Sequence, residues 1–372
     1  MEKGSKNIGI LTFHRALNYG AFSQAYALKT FLESCGHRVS FVDYWPKAHA
    51  ETYALFRINR KVGLIGNVLR FFKALLIAYS LFVRKTKMEQ EVRRFLNLSK
   101  TPLYDSVLSL KNAPSYDCLV YGSDQIWWNS IVYGYEGFDG VYWGEYMDKT
   151  IRKIAYAPSM GIIQLGDDEQ VNVKTWLKNF DAISVRESEL FDVLQPLTQK
   201  TISVVLDPVF LLDREYWSNL CTEVKFRDYI LFYNVMTSKD AKRFVRLLKK
   251  KTGKKVIEIT GKVEPFRFGA NVVQSASTVE WLSLMYHADS IVSTSFHGVA
   301  FSVIFQKNFY ALGMSNKTGR VLSLLSSLHI ENRLVDGFRD VFFDAIDYND
   351  VQNRIELLKA ESIRFLLDAV DH

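Results

Sequence analysis

Short apolar runs, separated by polar turns and helix-length segments, recur along most of this chain and restrict its fold more than any other feature. The first runs are Ile8–Phe13 and Val39–Asp43, and the segment Ala21–Ser34 between them is predicted to be a helix ending near Gly36. Together they have the length of one βαβ unit. Strands that are apolar along almost their whole length predict a parallel sheet covered by helices on both faces.

The apolar runs form two series, one before and one after about Tyr216. The first series continues with Cys118–Tyr121, Ile154–Ala157, Ala182–Val185 and Val204–Leu206. The second contains Tyr229–Tyr233, Lys255–Thr260, Ser290–Ser293 and Phe309–Leu312. We therefore expect an α/β protein with two Rossmann-like parallel-sheet domains, residues 1–215 and 216–372, that face each other across a cleft. The C-terminal helical stretch, Tyr348–Val370, is expected to pack back on the N-terminal domain.

The composition fits that organisation and excludes several classes of protein. Of the 372 residues, 48% are hydrophobic and 23% charged, which is the balance of a globular chain with a full core. Cys35, Cys118 and Cys221 show neither CxxC nor zinc-ligand spacing, so we predict reduced thiols and no metal site. The one metal ion that the sequence leaves as an option is a Mg²⁺ bound loosely to the phosphate of a ligand. The N-terminal residues do not resemble a signal peptide, and we expect a cytoplasmic protein.

The net charge of +7 is concentrated in one segment. Between Glu51 and Lys100 there are eleven Lys and Arg against three Asp and Glu, a local net charge of +8, and the remaining residues sum to −1. A nucleic-acid-binding protein would more often spread a basic face over its fold, so we expect no nucleic-acid partner. The segment is predicted to form a basic, apolar helical insertion around residues 51–100.

Two interpretations of that insertion stay open. Its longest uncharged run, Ala74–Val83, has ten residues, whereas a spanning helix needs about 20 apolar residues, so we expect no crossing of a bilayer. Flanking cations fit a helix lying peripherally on the anionic inner face of a membrane: Arg57, Arg60, Lys61, Arg84, Lys85 and Lys87. The alternative is a helical hairpin that packs on the protein and keeps a solvated basic face.

Polar clusters follow the predicted strands directly, at the edge where parallel sheets bind their ligands. Six of them carry motifs: Asn18–Ala21 with Gln24, Gly122–Trp127, Ala155–Ser159, Ser184–Glu187, Leu206–Pro208 and Ser293–Gly298. In this order the set resembles the polysaccharide pyruvyl transferase family, from about Ile8 to Arg333. Ser-Phe-His-Gly, residues 295–298, is the most specific motif, and Tyr44–Lys100 carries none.

The resemblance implies a GT-B-like fold and a transferase with phosphoenolpyruvate as co-substrate and no other cofactor. The acceptor would be a pair of sugar hydroxyls on a cell-surface polysaccharide or its precursor, which includes a lipid-linked oligosaccharide. The products would be a pyruvate ketal and phosphate. A donor with a phosphate and a carboxylate needs fixed cations, and the Arg fork binds two oxygens at once. The methylene carbon of the donor must also receive a proton, which a positioned general acid supplies.

His297 is the predicted catalytic acid, or the group that donates to the leaving phosphate. It stands at the start of a helix after Ser290–Ser293, and a helix N-terminus beside a glycine binds phosphate readily. A basic residue after the last strand is expected from the resemblance. The predicted donor-binding residues are therefore Ser293, Thr294, Ser295, Gly298, Lys317 and Arg320.

Arg186 and Asp124 complete the predicted catalytic set. Arg186 follows an apolar strand and is expected to bind the donor, and the alternative is an ion pair with Glu187, Glu189 or a neighbouring helix. Asp124 is expected to orient a sugar hydroxyl or to act as its base, and the alternative is a helix N-cap.

The predicted acceptor-binding residues lie on two strand-end loops: Asn18, Tyr19, Gly20, Ser123, Gln125 and Trp127. Simple turn chemistry is the alternative for the first three, and core packing for Trp127. A nucleotide-sugar glycosyltransferase of the same shape is the second enzyme class considered, but it would need an acidic residue for the ribose soon after Gly298, and none stands there. The polar strand ends disfavour a non-enzymatic membrane assembly factor.

Overall fold

The chain folds into two six-stranded parallel sheets, which confirms the predicted α/β class. The computed structural model describes residues 4–52, 63–98, 102–129, 137–236, 238–313, 318–335 and 345–371. Every strand pair within the two sheets is parallel. Consecutive parallel strands need crossover connections, and an α-helix lies in most of these connections.

The N-terminal sheet is built from β1 (Asn7–Leu11), β2 (Arg38–Phe41), β3 (Cys118–Tyr121), β4 (Arg152–Ala155), β5 (Ala182–Val185) and β6 (Ile202–Val204). Its strand order is β2-β1-β3-β4-β5-β6. The helices of this part are α1 (Tyr19–Ser34), α2 (Lys47–Thr52), α3 (Leu64–Leu96), α4 (Asp167–Trp176) and α5 (Ser188–Leu194). The central strand β3 is buried at every position, as the continuous apolar run predicts.

The C-terminal sheet is built from β7 (Tyr229–Asn234), β8 (Lys255–Thr260), β9 (Val272–Val273), β10 (Ser290–Ser293), β11 (Asn308–Leu312) and β12 (Leu334–Val335). Its strand order is β12-β11-β10-β7-β8-β9. The helices are α6 (Arg214–Asn219), α7 (Lys239–Thr252), α8 (Thr278–Tyr286), α9 (Phe296–Ile304), α10 (Thr318–Ser327) and α11 (Tyr348–Asp371). The central strand β7 is likewise buried throughout.

The two sheets share one continuous apolar core. A single cluster of buried residues contains Ile10 of β1 and Ile291 of β10. The last helix, α11, reaches the N-terminal sheet, because the Arg152 Nε donates a hydrogen bond of 2.7 Å to the carbonyl of Ala369. The domain boundary at residues 215 and 216 stays a prediction.

The insertion contains one long helix, α3, whose C-terminal third binds the rest of the protein. The Arg84 Nη1 donates to the carbonyl of Thr260 at 3.1 Å, and Met88 is 1% exposed. Glu91 accepts hydrogen bonds from the backbone N–H groups of Thr278 and Val279, at 2.7 and 2.9 Å, and so caps the N-terminus of α8. An acidic side chain at a helix N-terminus is favourable because it satisfies open N–H groups and faces the positive end of the helix dipole.

The N-terminal part of α3 is different. Of the side chains described between residues 66 and 83, none is buried. By length and composition, Gly66–Leu96 is the one helical stretch among the described residues that could cross a membrane. Its C-terminal third, however, packs on the protein, as Met88 and Glu91 show. The predicted cations Arg57, Arg60 and Lys61 lie outside the described residues.

We expect Glu91→Ala to lower the free energy of unfolding by about 1–3 kcal/mol, because two N–H groups of α8 lose a charged acceptor. Urea unfolding measures the change. Glu89→Ala is the matched control, since the Glu89 side chain is 49% exposed and lies 3.8 Å from Lys85, a pair worth less than about 1 kcal/mol. Equal losses in the two variants would contradict the capping role.

Candidate active site

Polar side chains from four neighbouring strand ends converge at one edge of the N-terminal sheet. Ser123 follows β3, Ser159 follows β4, Arg186 and Glu187 follow β5, and Asp207 follows β6. All five are buried. The carboxyl ends of parallel strands meet at one edge, which is why positions distant in the sequence lie together here.

Asp207 is the centre of this cluster. Its Oδ2 lies 2.5 Å from the Arg186 Nη1 and 3.1 Å from the Ser123 hydroxyl. Burial alone would raise the pKa of Asp207, but the positive charges of His297 and Arg186 and a backbone N–H of Val209 outweigh it and hold this pKa well below its usual range. Asp207 is therefore ionised at neutral pH.

Arg186 is ion-paired mainly with Asp207, a partner that was not considered from the sequence. Its Nη2 lies 4.0 Å from a Glu187 carboxylate oxygen, beyond hydrogen-bond range. Its guanidinium carbon lies 4.3 Å from the centre of the Phe296 ring, a cation–π contact across the two domains. Neither Nε nor Nη2 has a hydrogen-bond partner among the described residues, although both are buried.

His297 stands at the start of α9 and faces this cluster from the C-terminal domain. Its Nε2 lies 3.6 Å from Asp207 Oδ2, too far for a hydrogen bond but close enough for electrostatic attraction. This Nε2 is buried and has no hydrogen-bond partner in the described structure. The ring packs on Gly20, where an added Cβ would fall 2.1 Å from the His297 Nδ1. Gly20 thus serves close contact between the domains.

Glu187 is fully buried, and one of its oxygens accepts a hydrogen bond from Ser159. Its Oε2 has no hydrogen-bond partner among the described residues. Burial raises the pKa of Glu187, and the opposing charges of Arg186 and Arg320 only partly offset that rise. The sequence prediction considered this residue only as an ion-pair partner. Its position directly after an apolar strand, next to Arg186, was the available signal.

Among the remaining residues predicted to bind the donor substrate, Thr294 and Ser293 hold backbone segments in place and Gly298 allows a close contact. Thr294 Oγ1 accepts hydrogen bonds from two backbone N–H groups of the loop after β7, at 2.9 and 3.0 Å, which fixes that loop. The Ser293 hydroxyl accepts from the Ser295 N–H at 3.1 Å, and Gly298 lets α9 approach it, since a Cβ there would lie 2.1 Å from the Ser293 Oγ. Gly298 therefore has a packing role in this structure.

Two further residues predicted to bind the donor substrate lie at the starts of α9 and α10. Ser295 is the N-cap of α9 but makes no capping hydrogen bond with its side chain. Arg320 lies in the first turn of α10 and acts electrostatically on Glu187. Lys317 lies outside the described residues.

The predicted acceptor residues are only partly accessible. Asn18 is exposed, and its side chain caps α1 by accepting from the Gly20 and Ala21 N–H groups, which is the turn chemistry considered above. Tyr19 is fully buried between the domains, where its hydroxyl donates to the carbonyl of Ala276 and its ring stacks on Trp281. Tyr19 holds the domains together rather than presenting a surface to a sugar.

Trp127 requires a correction. It is completely buried, stacks on Trp143 with ring centres 4.3 Å apart, and donates from its indole nitrogen to the carbonyl of Tyr142. It therefore belongs to the aromatic core and offers no face to a sugar. Asp124 and Gln125 are half-buried at the same strand end, and an Asp124 carboxylate oxygen accepts from the Gln125 N–H at 2.9 Å.

The sequence matches the family model of the polysaccharide pyruvyl transferases over residues 18–316, a range that includes Ser123, Ser159, Arg186, Glu187, Asp207 and His297. The chain belongs to the polysaccharide pyruvyl transferase family. It is accordingly a transferase, and the family implies a polysaccharide acceptor. A comparison with curated proteins gives no match.

Among solved structures, an α-glucosyltransferase in complex with UDP and DNA has 12% identity and a TM-score of 0.49, with 97% of this chain and 91% of that chain covered. A UDP-N-acetylglucosamine 2-epimerase from Rickettsia bellii also has 12% identity and a TM-score of 0.49, with 99% and 97% covered.

We expect Gly20→Ala to lower transferase activity by about 100-fold, because the new methyl group overlaps the His297 ring and displaces a group of the site by about 1 Å. Steady-state kinetics on the purified protein measure it. Gly63→Ala is the control, since a Cβ at Gly63 meets no atom within 4 Å, and its activity should not change. If both variants are as active as the wild type, His297 does not belong to the active site.

Proposed function

We propose that this transferase moves the pyruvyl group of phosphoenolpyruvate onto two hydroxyls of one sugar, forming a ketal and releasing phosphate. The observation that supports this most is the set of buried donors without a partner, Arg186 Nε and Nη2 and His297 Nε2, at the domain interface. Burying such groups without a partner is unfavourable, so the arrangement favours a bound anion.

Phosphoenolpyruvate matches these hydrogen-bond donors in charge and shape. The free edge of the Arg186 guanidinium, Nε with Nη2, can hold two oxygens of a phosphate or carboxylate in parallel. His297 Nε2 can donate to an oxygen of the same ligand, close to the N-terminus of α9. Arg320 adds a positive charge from α10. Asp207 pairs with Nη1 of Arg186 and so leaves Nε and Nη2 of that side chain for the ligand.

The cavity beside Arg186, Asp207 and Phe296 measures about 50 Å³, which holds a few water molecules. A three-carbon phosphate ester needs more room than that. Donor binding would therefore require the domains to separate or the side chains at their interface to shift. Hinge motion between two domains is a common way of admitting a ligand to a cleft.

The reaction can be followed atom by atom. The enol double bond takes a proton on its methylene carbon, which leaves an oxocarbenium centre at the next carbon. One sugar hydroxyl attacks that centre and loses its proton. Phosphate then leaves with the electrons of its C–O bond, and the second hydroxyl attacks and loses its proton. Of the two hydroxyl protons, one replaces the proton given to carbon and the other is carried by the phosphate.

Glu187 is our choice for the proton donor to carbon, with His297 binding the phosphate. The raised pKa of Glu187 keeps its carboxyl group protonated at a higher pH than usual, as a general acid requires. The buried Nε2 of His297 has no hydrogen-bond partner in the described structure and can donate to a phosphate oxygen. Of the two roles that the sequence leaves open for His297, catalytic acid or donor to the leaving phosphate, this assignment keeps the second.

The proposed reaction predicts phosphate release from phosphoenolpyruvate and no nucleotide release from nucleotide sugars. Purified protein is incubated with each donor and a mixture of oligosaccharide acceptors, and both products are measured. Phosphoenolpyruvate at about 100 times its Kd should also stabilise the fold by about 2.7 kcal/mol, seen as a higher melting temperature. Nucleotide release, with no thermal shift from phosphoenolpyruvate, would favour the nucleotide-sugar glycosyltransferase instead.

Glu187→Gln should lower kcat by about 10²–10⁴-fold with little change in the KM for phosphoenolpyruvate, because an amide cannot supply the proton. His297→Ala should mainly raise that KM. In the wild type, kcat should fall as pH rises through the raised pKa of Glu187, since the acid form is then lost, and Glu187→Gln should lack this step. If kcat is instead lost only in His297→Ala, His297 rather than Glu187 supplies the proton.

A further inference from the structure

The N-terminal part of α3 carries an extended apolar surface that nothing in the described structure covers. Seven large apolar side chains are each at least 45% exposed: Val68, Leu69, Phe72, Leu75, Leu76, Tyr79 and Phe82. At 100° per residue they fall within one arc of about 140°, and over 1.5 Å per residue they extend about 21 Å along the helix. We call these seven side chains the α3 apolar face. Continuous exposed apolar surface of this kind marks an interaction site.

The α3 apolar face is held in a fixed relation to the candidate active site. The same helix continues into the protein, where the Arg84 guanidinium lies 4.5 Å from the centre of the Tyr19 ring. Tyr19 adjoins Gly20, on which His297 packs. Glu91 anchors the helix to α8 on the other domain. Whatever binds the α3 apolar face therefore lies at a set distance from the domain interface.

The charge of the surrounding sequence points to an anionic partner. No Asp or Glu occurs between Glu51 and Glu89, whereas eight Lys and Arg do. A second copy of the chain, paired symmetrically through the same face, would bring these like charges together. An anionic surface would instead be attracted.

The structure also limits how much these cations can contribute to binding an anionic surface. Arg84 is buried and hydrogen-bonded within the protein, and Lys87 forms an ion pair of 2.7 Å with Glu280. Lys73 is exposed, and Lys85 is half-exposed near Glu89. The apolar side chains must therefore supply most of the binding, and salt should weaken it only in part.

We propose that the α3 apolar face docks on the surface of an anionic lipid bilayer, with the helix lying in the headgroup region. A surface helix buries its apolar face about 5–10 Å deep and leaves cations such as Lys73 among the headgroups. The docking does not depend on the proposed reaction. Its consequence does: the cleft would be held beside an acceptor that is itself carried by a membrane lipid.

The full-length protein is sedimented with vesicles of phosphatidylglycerol and phosphatidylcholine in equal parts. The wild type should bind, and the triple variant Phe72→Gln, Leu75→Gln, Tyr79→Gln should bind at least about 10-fold less, because three large apolar side chains are lost from the buried face. The matched control is Leu108→Gln, Phe266→Gln, Leu357→Gln, whose side chains are 73%, 75% and 69% exposed elsewhere on the surface. It should bind as the wild type does.

Three results would overturn the proposal. One is a wild type that does not bind these vesicles, and another is an equal loss in the control variant. The third is complete release when salt rises from about 0.1 to about 1 M, where the Debye length falls from about 10 to about 3 Å, since charge alone would then carry the binding. A wild type that dimerises through Phe72 and Leu75 while ignoring vesicles would assign the face to a second copy. The thermal shift with phosphoenolpyruvate should persist in the triple variant, which separates this test from that of the reaction.

Discussion

The carboxylate of Asp207 is the point at which Arg186 and His297, which come from different domains, meet in the candidate active site. It pairs with Arg186 of its own sheet edge and attracts His297 from the start of α9. Arg186 and His297 each keep a buried nitrogen without a hydrogen-bond partner in the described structure. The ion pair uses Nη1 of Arg186 and leaves its Nε and Nη2 for a bound anion. Removing one partner of such a buried pair leaves an uncompensated charge, so the arrangement behaves as a unit.

The site depends on the contact between the domains as much as on either sheet. Gly20 admits the His297 ring, and Phe296 lies under the Arg186 guanidinium. Glu91 of α3 caps a helix of the C-terminal domain. These contacts are short-range, so a small separation of the domains would open the site and expose its cations. Donor binding, domain closure and the placement of α3 are therefore expected to be coupled.

The fold and part of the site were accessible from the sequence. Apolar runs of four to six residues, such as Cys118–Tyr121, identified central parallel strands, since only a strand buried on both faces is apolar at successive positions. Polar residues directly after such strands identified Ser123 and Arg186, because strand ends share one edge. Trp127 follows the same rule yet lies in the core, and Tyr19 lies between the domains. Position after a strand indicates the edge of a sheet, but not whether a side chain turns inward.

The sequence by itself determined the family, the two parallel sheets and the His297 and Arg186 candidates, because motifs and periodicity are local properties of the chain. Only the tertiary structure decided that Asp207 joins them, that Glu187 is buried with a raised pKa, and that Arg84 and Lys87 are committed to internal contacts. It also decided that the apolar half of α3 is exposed rather than packed. The physical reason is the same in each case: burial and pairing depend on which distant segments meet, and local patterns do not encode that meeting.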